Sequence, residues 1–162
     1  MQIERLITEP QHLELLSNLY QFYVYDSSGW ALDDIQGDGR YAVNDTHLAR
    51  YWQSPGWRAE LILADGCLAG FVLIERLAVD GQTYDELADL FVLPKYRRLG
   101  IASLLVEQIL AERAGPWLVC FYDQDAAAKQ FWQRQFAQLG LVCRRLPAQG
   151  ALHRYSLMSP VH

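Results

Sequence analysis

Residues 85–102 carry the densest chemistry of the chain. Asp85, Glu86 and Asp89 stand just ahead of an apolar run, Leu90-Phe91-Val92-Leu93, which stops at Pro94. Lys95, Arg97 and Arg98 follow. The small residues Gly100 and Ala102 then open a helical pattern in which Ile101, Leu104, Leu105 and Ile109 share one face. A strand, a short basic loop and a helix start are predicted in that order. Unpartnered N–H groups at a helix N-terminus attract anions, and neighbouring Lys and Arg strengthen the attraction. Small residues let a ligand approach the main chain. Such a loop suits a pyrophosphate. It suits equally a solvated basic turn after an edge strand, and local chemistry divides evenly between the two.

Other candidates carry less. Gly37-x-Gly39-x-x-Ala42 has the letters of a dinucleotide fingerprint, but it follows a loop and not a strand. The His residues, at 12, 47, 153 and 162, form no close pair for a metal, so none is expected. Cys67, Cys120 and Cys143 lie far apart among apolar residues, which reads as reduced core thiols. A Cys–His nucleophile pair has no local support. Trp30, Trp52 and Trp57, with Tyr20, Tyr23 and Tyr25, fit either a pocket lining or the core.

The elements that must position these groups fit one domain, residues 1–162, of globular composition: 51% hydrophobic and 20% charged. A net charge of −5 disfavours general binding to nucleic acid. The longest uncharged apolar run, Gly66 to Ile74, is too short to span a membrane, and the N-terminus has no apolar signal core. A soluble, reducing, cytoplasmic setting is expected.

Ile3–Ile7 is predicted as a first strand. Thr8-x-x-Gln11, a capping-box pattern, precedes Leu13, Leu16, Tyr20, Tyr23 and Val24 at helical spacing. From Asp26 to Asp45 no period is visible, and a long loop is expected. Asp45 or Thr46 would cap a short helix ending near Trp52. Asp65-Gly66 and Asp80-Gly81 are hairpin signals, and they join strands at about 60–64, 67–77 and 83–93. The helix after Gly100 leads to an apolar strand, Trp117–Tyr122. Ala128, Phe131, Trp132 and Phe136 mark another helix, and Gly140–Arg144 and Ala151–Leu157 are the last strands. The order is β-α-α-β-β-β-α-β-α-β-β, an α/β (α+β) mixed sheet with helices on both faces. The strands before Pro94 and after Gly115 form a parallel crossover.

The run Arg97-Arg98-Leu99-Gly100-Ile101-Ala102 resembles the [Gln/Arg]-x-x-Gly-x-[Gly/Ala] signature of the GNAT superfamily of acetyl-CoA-dependent N-acetyltransferases. Asp125-Ala-Ala-Ala-Lys-Gln-Phe131-Trp132 resembles the superfamily's second block, Asn-x-x-Ala followed by an aromatic-rich helix. The element order matches across nearly the whole chain. The resemblance implies that Arg97–Ala102 hold the pyrophosphate of acetyl-CoA and that the backbone of Phe91, Val92 and Leu93 pairs with its pantetheine arm. Asp125 and Phe131 would complete the cofactor side. Asp125 stands where the block usually has Asn, and Trp132 where many members place an acidic Tyr. Indole N–H is no useful acid, so protonation of the leaving thiolate falls to Tyr122 or to solvent.

Acetylation of an amine by direct attack in a ternary complex also needs a proton acceptor. Strict alternation puts Asp89 on one face with Phe91 and Leu93, making it the first choice. Glu86 is second, because a bulge would shift the parity. A backbone N–H from Phe91 to Leu93 is the expected oxyanion donor. The resemblance also places the segment after the first helix beside the acceptor. There Trp30, Asp33 and Asp34, within an acidic stretch, would favour a cationic amine. A GNAT fold that binds CoA but has lost catalysis is the rival expectation. The final strands offer a pairing surface for a homodimer.

Overall fold

The computed structural model describes residues 1–160. Its strands are β1 (Ile3–Ile7), β2 (Arg58–Ala64), β3 (Cys67–Val79), β4 (Gln82–Val92), β5 (Trp117–Tyr122), β6 (Val142–Gln149) and β7 (Leu152–Met158). They form one sheet in the order β1-β2-β3-β4-β5-β7-β6. The helices are α1 (Leu13–Ala31), α2 (Asp45–Ala49), α3 (Ile101–Glu112) and α4 (Ala126–Gln138). The expected mixed α/β order is therefore the observed one.

Two apolar clusters flank the sheet. On one face Leu16 and Leu19 of α1 and Leu48 of α2 pack against Leu61, Phe71, Leu73 and Phe91. On the other, Ile101, Leu105 and Ile109 of α3 and Trp132 of α4 pack against Ile62, Val72, Ile74 and Trp117. Side chains alternate across a strand, so a sheet covered on both sides must be apolar on both. The central strands accordingly have nearly continuous buried runs. Both two-residue turns form as expected, with Asp65, Gly66, Asp80 and Gly81 all at positive φ.

Several local expectations are corrected. Helix α1 does not stop before Asp26: it continues through Trp30 to Ala31 and ends at Leu32 in the left-handed conformation. Ser27-Ser28-Gly29 are weak helix formers, which hid the last turns. In the fold the Ser27 and Ser28 hydroxyls donate to the carbonyls of Val24 and Tyr25, so they do not compete with the helix. Thr8 caps nothing. It donates to the Ala59 carbonyl and accepts from the Trp52 indole, while Glu9 and His12 make the capping box of a short 3-10 turn. Asn44, not Asp45 or Thr46, caps α2, accepting from His47 N–H at 3.1 Å. The strand expected at Gly140–Arg144 starts later and runs to Gln149.

The feature that makes a cleft lies between β4 and β5. They pair in parallel only at Asp85 with Trp117 and Glu86 with Leu118. Beyond that point the strands splay, and the arm of β4 from Leu87 to Val92 leaves one edge free.

Candidate active site

The register of the β3–β4 hairpin decides which side chains meet. From the Asp80-Gly81 turn, Glu75 lies opposite Glu86 and Ile74 opposite Leu87. The next pair is Leu73 with Asp89, so Ala88 is an extra, bulged residue. A bulge reverses the parity of everything after it. Alternation alone separates Glu86 from Asp89; the bulge puts both on the α1 face. Asp85 points the other way, paired with Arg76 at 3.0 Å and Arg113 at 2.7 Å, and is excluded as a proton acceptor in the cleft.

Glu86 and Asp89 are both half-buried and both line a cleft of about 520 Å³ in the splay. Burial, aided by the like charge of Glu75, pushes Glu86 up to about 7. Burial likewise raises Asp89 to about 7. The Tyr23 hydroxyl against its carboxyl opposes the rise, and Glu75 and Glu86 add to it. These carboxylates are poised to exchange protons at neutral pH. Cys120, beside Glu86, is raised to about 12, chiefly by burial and then by that carboxylate, so it stays a thiol and is no nucleophile.

The free edge of β4 is polar main chain. Leu93 N–H donates to the Ala69 carbonyl at 2.7 Å, so it is not available as an oxyanion donor. Antiparallel ladders alternate, which turns Phe91 toward β3 as well and leaves Val92 facing the open edge. The Val92 carbonyl does face outward, because it accepts from Arg97 Nε at 2.8 Å. Of the three expected donors, only Val92 N–H points into the splay.

At the mouth, Gly100 caps α3 in the left-handed conformation, and apart from its own chain neighbours nothing lies within 4 Å of where its Cβ would be. Leu104 N–H takes the Gly100 carbonyl, so the N–H groups of Ile101, Ala102 and Ser103 are the helix's orphan donors. The Ile101 side chain is buried in the core, and its part in any site is main chain alone. Arg97 lines the cleft but turns to α1, gripping Asp26. Arg98 and Leu99 are exposed outside the lining.

The remaining expected residues divide. Phe91, Ala102, Tyr122, Asp125, Phe131 and Trp30 line the cleft, and the Trp30 and Tyr122 rings lie 5.8 Å apart across it. Asp125 Oδ1 accepts from Ala128 N–H at 3.1 Å, so its carboxylate caps α4. Trp132 is 6% exposed and packs on Phe131 and Phe136. Asp33 and Asp34 are exposed and outside the lining. Reading the sequence missed Glu75 altogether. The signal was present: a two-residue turn at 80–81 makes paired numbers sum to 161, which sets Glu75 against Glu86.

The description Acetyltransferase (GNAT) family matches residues 17–137, most of the chain. The chain belongs to the GNAT acetyltransferase family. No curated protein matches it. Among solved structures, this GNAT chain is similar to an acetyltransferase from Thermus thermophilus, with 18% identity, 96% of each chain covered and a TM-score of 0.69. It is also similar to the PaiA N-acetyltransferase of Thermoplasma acidophilum in complex with coenzyme A: 15% identity, 98% of this chain and 99% of that one, TM-score 0.66. A third is YncA of Salmonella typhimurium, a putative acetyltransferase with acetyl-CoA: 13% identity, 100% and 96% covered, TM-score 0.64. At these identities the likeness is one of fold, and it extends over the whole GNAT domain.

Proposed function

We propose that this GNAT protein transfers the acetyl group of acetyl-CoA to a primary amine by direct attack in a ternary complex. One observation carries the reading. Two half-buried carboxyls poised near neutrality, Glu86 and Asp89, lie in the same cleft as the unpaired edge of β4.

Residues present fit acetyl-CoA. The orphan N–H groups of α3, with Lys95 and Arg98 nearby and open space at Gly100, would take the pyrophosphate. Val92 main chain would pair with the pantetheine arm, and Phe91, Phe131 and Ala102 would wall it. Bound acetyl-CoA supplies an activated thioester carbonyl. Val92 N–H would donate to the oxygen on which charge develops. As the amine nitrogen bonds to that carbonyl carbon, its proton passes to Asp89 or Glu86. The carbon–sulfur bond breaks, and the thiolate takes a proton from Tyr122 or water.

The acceptor in this reading is cationic. Asp26, Glu86, Asp89 and Asp125 line the cleft against Arg97 alone, and low-dielectric walls focus such a field. The Trp30 indole offers a cation–π face, while Asp33 and Asp34 act only at long range. A thiol-release assay with acetyl-CoA against a panel of amines tests the proposal. Amine-dependent thiol release supports it. Binding of acetyl-CoA without release by any amine would leave a CoA-binding module instead.

A further inference from the structure

Glu75 has no part in the proton path above and does not line the cleft. It is nevertheless the residue of β3 directly opposite Glu86, and the bulge at Ala88 brings Asp89 onto the same face one pair further along. Tyr51, which is 3% exposed, donates its hydroxyl to Glu75 Oε2. Tyr51 is itself fixed by the His47 and Trp57 rings, at 5.9 and 5.1 Å. The Glu75 carboxylate is thus held by Tyr51 on the same sheet face as the reactive pair.

We infer that Glu75 is a positioning residue that sets the strength of the base: its fixed negative charge makes the Glu86–Asp89 pair hold a proton more tightly. The inference rests on the acetyltransferase reading above. A stronger base accepts the amine proton more readily, and base catalysis is most efficient when the base titrates near the working pH. Glu75 forms no bond to substrate. The proton moves from the amine nitrogen to Asp89 or Glu86, and Glu75 only biases its stay there.

The surroundings let this one charge act. Facing the pair are Tyr20 and Tyr23 from α1, Tyr51 from the turn after α2, Glu75 from β3 and Cys120 from β5. Desolvation raises the titration of all three tyrosines, so their hydroxyls stay protonated and neutral. Cys120 is likewise a neutral thiol. Of the nearby cations, Arg76 is committed to Asp85 on the opposite face, and Arg154 acts on Cys120. Arg97, which lines the cleft with the pair, is held by Asp26, Asp125 caps α4, and no described cation forms an ion pair with Glu86 or Asp89.

The test is the pH profile of kcat/KM in Glu75→Gln, whose amide oxygen still accepts from Tyr51. The acid limb is expected to move to lower pH by on the order of half to one unit, as removal of a near like charge requires. Acetyl-CoA affinity should hold, and Glu75→Asp, which restores the charge, should return the limb toward its original position. A uniform loss at every pH with an unmoved limb would reduce Glu75 to a structural role and overturn the inference. Should Glu75→Gln melt, Glu75→Met, which fills the space without a charge, is compared with the unaltered protein by carbon-13 NMR of the carboxyl resonances. A lower midpoint for Glu86 or Asp89 in the variant supports the inference, and equal midpoints in the two proteins refute it. The acetyltransferase reading fails separately, if no amine draws thiol from acetyl-CoA with the unaltered protein.

Discussion

Arg97 and Asp26 tie the loop before α3 to helix α1 with a two-pronged ion pair, Nη1 to Oδ1 at 3.2 Å and Nη2 to Oδ2 at 3.0 Å. The third guanidinium donor, Nε, binds the Val92 carbonyl, and the same group lies 5.6 Å from the Phe91 ring centre. One side chain therefore links the basic loop before α3, the open arm of β4 and the helix that carries Trp30. Within the proposed function, Asp26 competes with a phosphate for Arg97. Asp26→Asn is expected to tighten acetyl-CoA binding severalfold in calorimetry. Both partners are partly exposed, so its effect on unfolding stability should stay within about 1 kcal/mol. Weaker binding in the variant would mean that Asp26 orients Arg97 for the cofactor and does not withhold it.

Gly100 is the second place where the loop can be tested. Its left-handed conformation disfavours a β-branched side chain, and the open space there is where the pyrophosphate path would run. Gly100→Val should weaken acetyl-CoA at least tenfold, about 1.4 kcal/mol. Arg98→Ala should weaken it less, and by an amount that shrinks as salt rises. A folded Gly100→Val protein with unaltered affinity would remove the loop from the cofactor site.

The carboxyl pair makes a kinetic prediction and a stability prediction with opposite signs. Activity needs the base ionised, so kcat/KM should rise with pH through about 7. Asp89→Asn should lower turnover on the order of 10²–10⁴-fold with acetyl-CoA affinity nearly intact. Loss in Glu86→Gln alone would shift the role to Glu86. For stability, the folded state holds these protons more tightly than the unfolded chain, whose carboxyls titrate near 4. The folded protein therefore binds more protons between about pH 4 and 7, and its stability falls as pH rises across that window. Denaturant melts of the native protein and of the double variant Glu86→Gln/Asp89→Asn should differ in pH dependence within that window and run parallel below about pH 4 and well above 7.

Gly70 governs the arm itself. A Cβ there would lie 1.9 Å from the Phe91 carbonyl oxygen, a main-chain atom of β4. Gly70→Ala must push β4 aside, and overpacking of this kind destabilises by about 1–3 kcal/mol. Urea unfolding should register that loss. The displaced arm should also weaken acetyl-CoA, whereas Gly66→Ala, at a turn with open space, should leave the cofactor alone.

Asp33 and Asp34 can act only through their field. Replacing both with Asn should raise the KM of a cationic acceptor at low salt and have little effect near 0.1 M, where screening sets in over about 10 Å. A best acceptor that is neutral apart from its reacting amine would show that the charge of this loop plays no part in recognition.

The sequence by itself determined the element order, both Asp-Gly hairpins, the crossover from β4 through α3 to β5, and the basic loop that opens α3. Each is a local matter: periodicity, turn chemistry, or small and basic residues at a helix start. The last turns of α1 were not legible, because Ser27-Ser28-Gly29 have weak helical propensity and the contacts made there, Asp26 with Arg97 and Trp30 with Tyr122, exist only in the fold. The tertiary structure alone decided that β4 and β5 part after Glu86, that Arg97 reaches Asp26 and that Asp125 spends its carboxylate on Ala128. It alone decided, too, that Glu86 and Asp89 share a face. That last outcome turns on one unpaired residue, Ala88. Alternation along a strand can be read from residue types, but the position of a bulge follows from how β3 and β4 accommodate each other's packing. A single slipped pair is enough to bring two carboxylates together in one cleft.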